Sequence, residues 1–202
     1  MTSAEFGRRL DQLLDIITDG LMYYTAWINI SLPDADTVTW TLDEQNEARD
    51  RFRRFFRPVG SALNSMALMQ FAKAFDRNSR TVSLTILLDA AQRTPGLVPG
   101  RTAADLAAVS SQIKQSEWII QMLTRVRNHS LAHAEASPKP VPGLIKRDFD
   151  TLIEHTKATF ECLWSGHKSA GISWDPLVQE VSRDTSEVMG ILVEKVRNGG
   201  QE

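Results

Sequence analysis

Apolar residues in this chain recur at steps of three and four, whereas alternation at period two is hard to find over more than a few residues. Steps of three and four place side chains on one face of an α-helix, so the pattern predicts an all-α fold. A chain of 202 residues can bury a sizeable core without disulfides or metals. We expect one helical domain over residues 1–202, built as a mostly antiparallel bundle because the helices are long and the loops short.

The same spacing and the loop signals outline the first helices. One helix covers about residues 3–30. A second starts near Thr41, where Glu44 stands in the capping-box position, and Pro58 is expected to kink or restart it. The apolar residues predicted to form a core stripe after this proline are Val59, Leu63, Met66, Phe71, Ala74 and Phe75.

The second half of the chain predicts four more helices. Ser83 should cap a short one with Leu84, Leu87 and Leu88 inside, and the longest pattern runs from about Thr102 to Ala134. The face of the next helix is predicted to hold Ile145, Phe149, Leu152, Thr156, Phe160 and Leu163. The last helix opens at Asp175-Pro176, and its inner face is predicted to hold Val181, Val188, Ile191 and Val196.

Composition excludes several classes of protein. Cys162 is the single cysteine, so the chain has neither an internal disulfide nor a Cys-based zinc site. We expect its thiol to be buried in the protein, and a single cysteine fits a reducing compartment. No apolar run approaches the roughly 20 residues that span a bilayer. The first 14 residues carry charged side chains where a signal peptide would have its apolar stretch. We therefore expect a cytoplasmic protein without a membrane partner. The net charge of -2 restricts nucleic-acid binding to a local basic patch.

Two apolar rows of the longest helix end in cationic and imidazole side chains. The first row steps through Leu106, Val109, Ile113, Ser116, Ile120 and Leu123 to Arg127. The second row steps through Ile119, Met122 and Val126 to His129 and His133. Burying such groups without partners costs several kcal/mol, so two interpretations follow. Either Arg127 pairs with an acidic residue at a solvated helix end, or the segment lines a cleft or a dimer interface.

The charges of this region favour an anionic ligand. Residues 125–147 hold one acid, Glu135, and five basic side chains: Arg125, Arg127, Lys139, Lys146 and Arg147. Arginine binds phosphate oxygens through a planar fork, and histidine transfers protons near neutral pH. These groups suffice to cleave RNA by attack of its 2'-hydroxyl on the adjacent phosphate, and no metal or other cofactor is needed. The sequence thus indicates RNA as a partner.

The spacing of Arg127 and His133 restricts the geometry of such a site. Six steps along an ideal helix separate the two residues by about 120° in azimuth and about 9 Å in rise. The side chains converge only if the helix breaks near Leu131 or if a second subunit supplies one of them. We therefore expect a two-fold homodimer whose segments 127–133 meet at the interface.

The segment Arg127-Asn128-His129-Ser130-Leu131-Ala132-His133, near the end of a long helix, resembles the motif of the HEPN superfamily. Together with FAKAFDRNSRTVSLTILL at residues 71–88, it looks most like the abortive-infection (AbiU-like) branch. The resemblance covers about residues 55–165, on which the N-terminal helices 3–57 and the C-terminal helix 175–198 would pack. It implies a dimeric helical bundle, in many members a metal-independent endoribonuclease that acts as a toxin or in antiviral defence.

The resemblance also implies roles for individual residues. Arg127 and His133 would form the catalytic pair, Asn128 would orient one of them, and His129 would assist. Glu135 stands where members silenced by nucleotidyl addition often carry tyrosine, so this chain is not expected to be controlled in that way.

Three other interpretations remain open. The chain could be a non-catalytic helical dimer that binds a partner protein such as an antitoxin or a nucleotidyltransferase. His129 and His133, four residues apart, could hold a metal with Glu135 or His155 as a further ligand. The arginine-rich residues 49–57 could bind RNA, although interleaved acids favour a solvated helix face. For the neighbours Asp76 and Arg77 we expect a structural ion pair.

Overall fold

The computed structural model describes residues 1–31, 40–78, 80–128 and 146–199. Every regular element in these ranges is helical, so the all-α prediction is confirmed. The elements are α1 (Ser3–Ser31), α2 (Leu42–Arg51), α3 (Arg53–Ala74), α4 (Leu84–Arg93), a 3-10 turn at Pro95–Leu97, α5 (Ala103–Gln115), α6 (Glu117–Val126), α7 (Lys146–Lys168) and α8 (Asp175–Gly199). None of the described helices is long and apolar enough to cross a bilayer.

The helices form two compact units. The first unit comprises Met1–Asp19 and Leu68–Ser173, and the second comprises Gly20–Ala67 and Trp174–Glu202. Helices α1 and α3 each contribute one end to each unit. The expectation of a single domain around a core at about residues 55–165 stays a prediction.

The core of the first unit lies among α4, α5 and α7, which pack on one another. The face predicted for α7 is buried at Phe149, Leu152, Thr156, Phe160 and Leu163, whereas Ile145 lies outside the described residues. Phe149 meets Phe71 of α3 edge to face, with ring centroids 5.2 Å apart, a geometry that aromatic pairs favour. The three leucines predicted to lie inside α4 are also buried.

The core of the second unit lies where α2 packs on α8. Ala48 of α2 and Val193 and Val196 of α8 are buried there, with Trp40 and Phe52 packed against them. The capping box predicted at Thr41 and Glu44 is present at the start of α2. It orders the chain beside Trp40, which lies so close to Gly190 of α8 that an added Cβ would come within 2.5 Å of Trp40 Cζ2.

The inner face predicted for α8 is wrong in two of its four residues. Val196 is buried and Val181 is half-buried, but Val188 is 50% exposed and Ile191 is 66% exposed. The buried face instead holds Met189, Val193 and Val196. Both stripes step at helical spacing, so periodicity alone does not show which of them meets the core.

The second helical pattern breaks earlier than predicted. Phe52 ends α2, and Pro58 lies inside α3 without ending it. Pro58 is the sixth residue of α3, just beyond the first turn, so its missing N–H removes one i→i−4 hydrogen bond of the helix. In the predicted core stripe, Phe71, Ala74 and Phe75 are buried, Val59 and Leu63 are half-buried, and Met66 is 43% exposed.

Ser83 stands at the predicted N-cap of α4, but its hydroxyl does not cap the helix. The Ser83 Oγ instead lies 2.9 Å from the Thr85 Oγ1, within hydrogen-bond distance. The two hydroxyls contact each other in a partly buried position. The Ser83 hydroxyl therefore accepts no hydrogen bond from the backbone amides of the first turn of α4.

Candidate functional site

A break at Ser116 divides the helix predicted from Thr102 to Ala134 into α5 and α6. Ser116 stood in an apolar row of the sequence and is fully buried. Its Oγ lies 2.8 Å from Nδ1 of His155 on α7, so the buried hydroxyl has the partner that burial requires. This contact anchors the base of α6, the helix that carries the proposed catalytic segment at its other end.

Arg127 follows α6 directly and is held by two side chains. Together with Asn128 it lies in a π-type turn, a geometry often found at functional sites. The Arg127 Nη1 lies 2.9 Å from Oδ2 of Asp76, and the Arg127 Nε donates to Oδ1 of Asn128 at 3.2 Å. The side chains of Arg127 and Asp76 are 23% and 24% exposed, so this ion pair is mostly withdrawn from solvent.

The ion pair expected between Asp76 and Arg77 does not form. Asp76 pairs with Arg127 instead, while Arg77 pairs with Glu117 on α6 at 2.8 Å. The other Asp76 oxygen, Oδ1, accepts from the backbone N–H of Asn78 at 3.0 Å, which holds the carboxylate in place after α3. Asp76 is therefore the ion-pair partner of Arg127, whereas the sequence analysis expected it to pair with Arg77.

A groove of about 400 Å³ opens between the end of α3 and α6. Phe75 and Ile120 contribute apolar surface, and the charged side chains that line it are Asp76, Arg77, Glu117, Arg125 and Arg127. Two of the three cations are neutralised by the ion pairs already described. Arg125 forms no ion pair with any other described residue, so the groove carries one uncompensated positive charge. Such a groove attracts an anion.

The structure places five of the eight predicted site residues. Arg125 and Arg127 line the groove, and Asn128 contacts Arg127. Lys146 pairs with Asp150 along α7 at 2.7 Å, and Arg147 is exposed on the same helix; neither lines the groove. Because His129, His133 and Lys139 lie outside the described residues, their roles stay predictions.

The other candidates from the sequence are the metal-binding interpretation, Cys162 and His155. Within the described ranges, no group of three His, Cys, Asp or Glu side chains is arranged to hold a metal ion. Cys162 is buried as expected, and burial raises the pKa of its thiol. The Ser116–His155 contact was missed by the sequence reasoning, although a serine inside an apolar row was the available signal.

The described residues form an all-α fold in which Arg127 and Asn128 follow one helix, as the resemblance to the HEPN superfamily implies. The AbiU2 family model, an abortive-infection branch of that superfamily, matches residues 3–188, and the chain belongs to this family. The match extends well beyond the residues that carried the resemblance in the sequence. Neither the curated proteins nor the solved structures gave a significant match.

Proposed function

We propose that this chain is a metal-independent endoribonuclease that acts as a toxin or phage-defence protein in abortive infection. Membership of the AbiU2 family supports the proposal. The observation that carries it is the placement of Arg127 at the edge of a cationic groove, where Asp76 and Asn128 hold its guanidinium.

The geometry of Arg127 suits a phosphate ligand. A guanidinium has five N–H donors, and the two contacts described above leave Nη2 free of any described partner. The remaining donors are available to the non-bridging oxygens of a phosphate, on which negative charge increases in the transition state. Because Asp76 and Asn128 fix the orientation of the guanidinium, little reorganisation is needed when RNA binds.

The proposed reaction is an internal transesterification. The 2'-oxygen attacks the neighbouring phosphorus, the bond from phosphorus to the 5'-oxygen breaks, and the products are a 2',3'-cyclic phosphate and a 5'-hydroxyl. One group removes the proton from the 2'-hydroxyl, and another donates a proton to the leaving 5'-oxygen. We assign proton transfer to His133, with His129 assisting, and phosphate contacts to Arg125, Lys139, Lys146 and Arg147.

The proposal includes a two-fold dimer. His133 lies six positions after Arg127, and on a straight helix this spacing directs the two side chains about 120° apart. Two copies of the segment that meet across a two-fold axis would let Arg127 of one chain and His133 of the other act on one phosphate.

Cleavage of single-stranded RNA in the presence of EDTA tests the proposal. We expect products with cyclic-phosphate ends, and we expect Arg127→Ala and His133→Ala each to lower the rate by at least about a hundredfold. Arg93→Ala, which removes an exposed arginine of α4 in the same unit, serves as the matched control and should keep the wild-type rate. Unchanged activity in both site variants would contradict the proposal.

The partner-binding alternative has one observation in its favour. Asp76 already neutralises Arg127, as it would if the arginine were purely structural. In that case the chain would be a non-catalytic member of the family that binds an antitoxin or a nucleotidyltransferase. Tight co-purification with such a protein, together with no RNA cleavage at high protein concentration, would favour this function over the enzyme.

A further inference from the structure

Helix α6 exposes a tryptophan beside the groove that Arg127 lines. Trp118 is 51% exposed, although tryptophan side chains are highly buried on average. Among the described residues, no other aromatic ring stacks on Trp118 and no cation lies over its ring. Packing within the chain therefore does not account for a side chain of this size at this position.

Trp118 lies on the same face of α6 as two residues that line the groove. Gln121 and Arg125 follow it at steps of three and four, and all three side chains are exposed. The positions between them include the buried residues of α6, which are Ile119, Ile120, Met122 and Leu123. On an ideal helix Trp118 and Arg125 are about 20° apart in azimuth and about 10 Å apart along the axis. The exposed face of α6 thus continues the wall of the groove from Arg125 to Trp118.

The uncompensated charges on this face are positive. Lys114 precedes Trp118 by four residues, at the end of α5, and Arg125 follows it by seven. Neither cation forms an ion pair with another residue of the described ranges. Glu117 is the one acid between residues 107 and 128, and the Arg77 Nη2 lies 2.8 Å from its Oε1. The exposed ring therefore lies between two cations that have no acidic partner.

This composition is typical of a surface that binds single-stranded nucleic acid. Proteins that bind single strands combine a positively charged groove with aromatic side chains on which bases stack. The centre of a protein interface, in contrast, is depleted in charged residues. Within the helices α4 to α7, Trp118 is the only exposed large hydrophobic residue, so no apolar patch surrounds it. The face of α6 thus favours a nucleic-acid strand over a second protein as its ligand.

We infer that Trp118 stacks on an unpaired base of the RNA bound in the groove, and that Arg125 contacts the phosphates between that base and the groove. The inference rests on the proposed function, because it takes RNA as the ligand of the groove. Successive bases of a stacked strand are about 3.4 Å apart, so the distance of about 10 Å from Trp118 to Arg125 spans about three nucleotides. Every base has an aromatic face, so Trp118 selects unpaired bases without selecting their sequence.

Binding of an RNA that cannot be cleaved tests the inference apart from catalysis. The probe is a labelled single strand of about eight nucleotides with 2'-O-methyl groups, and the anisotropy of the label gives the Kd. Trp118→Ala should raise the Kd about five- to a hundredfold, whereas Trp118→Phe keeps an aromatic face and should stay within about threefold of the wild type. Because Trp118 is exposed, neither substitution should lower the Tm.

The matched control is Phe55→Ala. Phe55 is 50% exposed, lies on α3 and does not line the groove, so its loss should leave the Kd unchanged. Wild-type affinity in Trp118→Ala, or an equal loss of affinity in Phe55→Ala, would overturn the inference.

A strand with a single 2'-hydroxyl tests the position of the stacked base. Such a strand has one cleavable phosphate, which fixes its register in the groove. Removing one base at a time leaves every phosphate charge in place. For the wild type, the KM should rise at one position about three or four nucleotides from the cleavable phosphate, and Trp118→Ala should lose this dependence. The same dependence in both proteins would contradict stacking on Trp118.

The outcomes separate this inference from the proposed function. RNA cleavage with a Kd that does not depend on Trp118 would overturn the inference and leave the ribonuclease. A Kd that depends on Trp118, without any cleavage by the wild type, would overturn the ribonuclease and leave the inference. A wild type that binds no RNA would overturn both. Weaker self-association of Trp118→Ala in sedimentation equilibrium would place Trp118 in a contact between protein chains and would also overturn the inference.

Discussion

Replacing Asp76 by asparagine tests whether this residue positions Arg127. The amide has nearly the shape of the carboxylate and keeps an oxygen that can accept from Arg127 Nη1, but it removes the negative charge. Hydrogen bonds between charged groups contribute about 1.5–3 kcal/mol, roughly twice the value for a neutral partner. Because the pair is mostly withdrawn from solvent, we expect the free energy of unfolding to fall by about 1 kcal/mol. For a chain of this length the Tm should then fall by about 2–4 °C.

The same substitution should change RNA binding and turnover in opposite directions. Without Asp76 the groove gains one uncompensated positive charge, which favours binding of the phosphate backbone. The guanidinium, however, loses the contact that fixes its orientation, and misplacement of a catalytic group by about 1 Å can lower a rate a hundredfold. We expect Asp76→Asn to lower kcat at least about tenfold while KM stays equal or decreases.

The measurements are the steady-state cleavage of a short single-stranded RNA and the anisotropy of a labelled analogue that lacks the attacking 2'-hydroxyl. Asp89→Asn, which neutralises an exposed acid of α4, is the control and should change none of these values. A wild-type kcat in Asp76→Asn, or binding that weakens together with turnover, would refute the positioning role. A fall in Tm alone would leave Asp76 a purely structural residue.

Three further predictions concern the rest of the chain. Gly190→Ala should lower the free energy of unfolding by about 1–3 kcal/mol in urea titrations, because the new Cβ meets Trp40 at 2.5 Å; in a Trp40→Ala background the same change should stabilise by about 0.5–1 kcal/mol. Cys162 should react slowly with a thiol reagent in the folded protein at pH 8 and rapidly in urea, because burial raises its thiol pKa; equal rates would be inconsistent with that burial. The hydrogen bond from Arg197 lowers the pKa of Glu44, so the stability difference between wild type and Glu44→Gln should be full above pH 4.5 and fade as the pH falls further; a constant difference down to pH 2 would contradict it.

The parts of the fold that depend only on residues close together in the sequence could be predicted from it. The bounds of α1 and the capping box before α2 follow from spacing and side-chain chemistry within a few residues. The two stripes of α8 could not be ranked in this way, because one packs on α2 and the other faces away from the core. Which stripe is buried depends on residues more than 100 positions away in the chain.

The candidate site divides in the same way. Arg127 and Asn128 could be identified because they interrupt an apolar row, and their mutual hydrogen bond is local. The partner of Arg127 could not be identified, because Asp76 lies 51 residues earlier in the chain. In the sequence, the adjacent Arg77 is an equally plausible partner for Asp76. The residue that contacts Ser116 at the break is also distant in sequence, since it is His155 on α7.

The position of Arg127 depends on the angle between α5 and α6, which meet at Ser116. Arg127 lies eleven positions after Ser116, a length of about 16 Å along a helix. A change of about 10° in the angle between α5 and α6 would therefore displace Arg127 by about 3 Å. This displacement is as large as the donor–acceptor distance of a hydrogen bond. His155 of α7 contacts this joint and does not line the groove, so we expect substitutions of His155 to affect Arg127 only through the angle of α6.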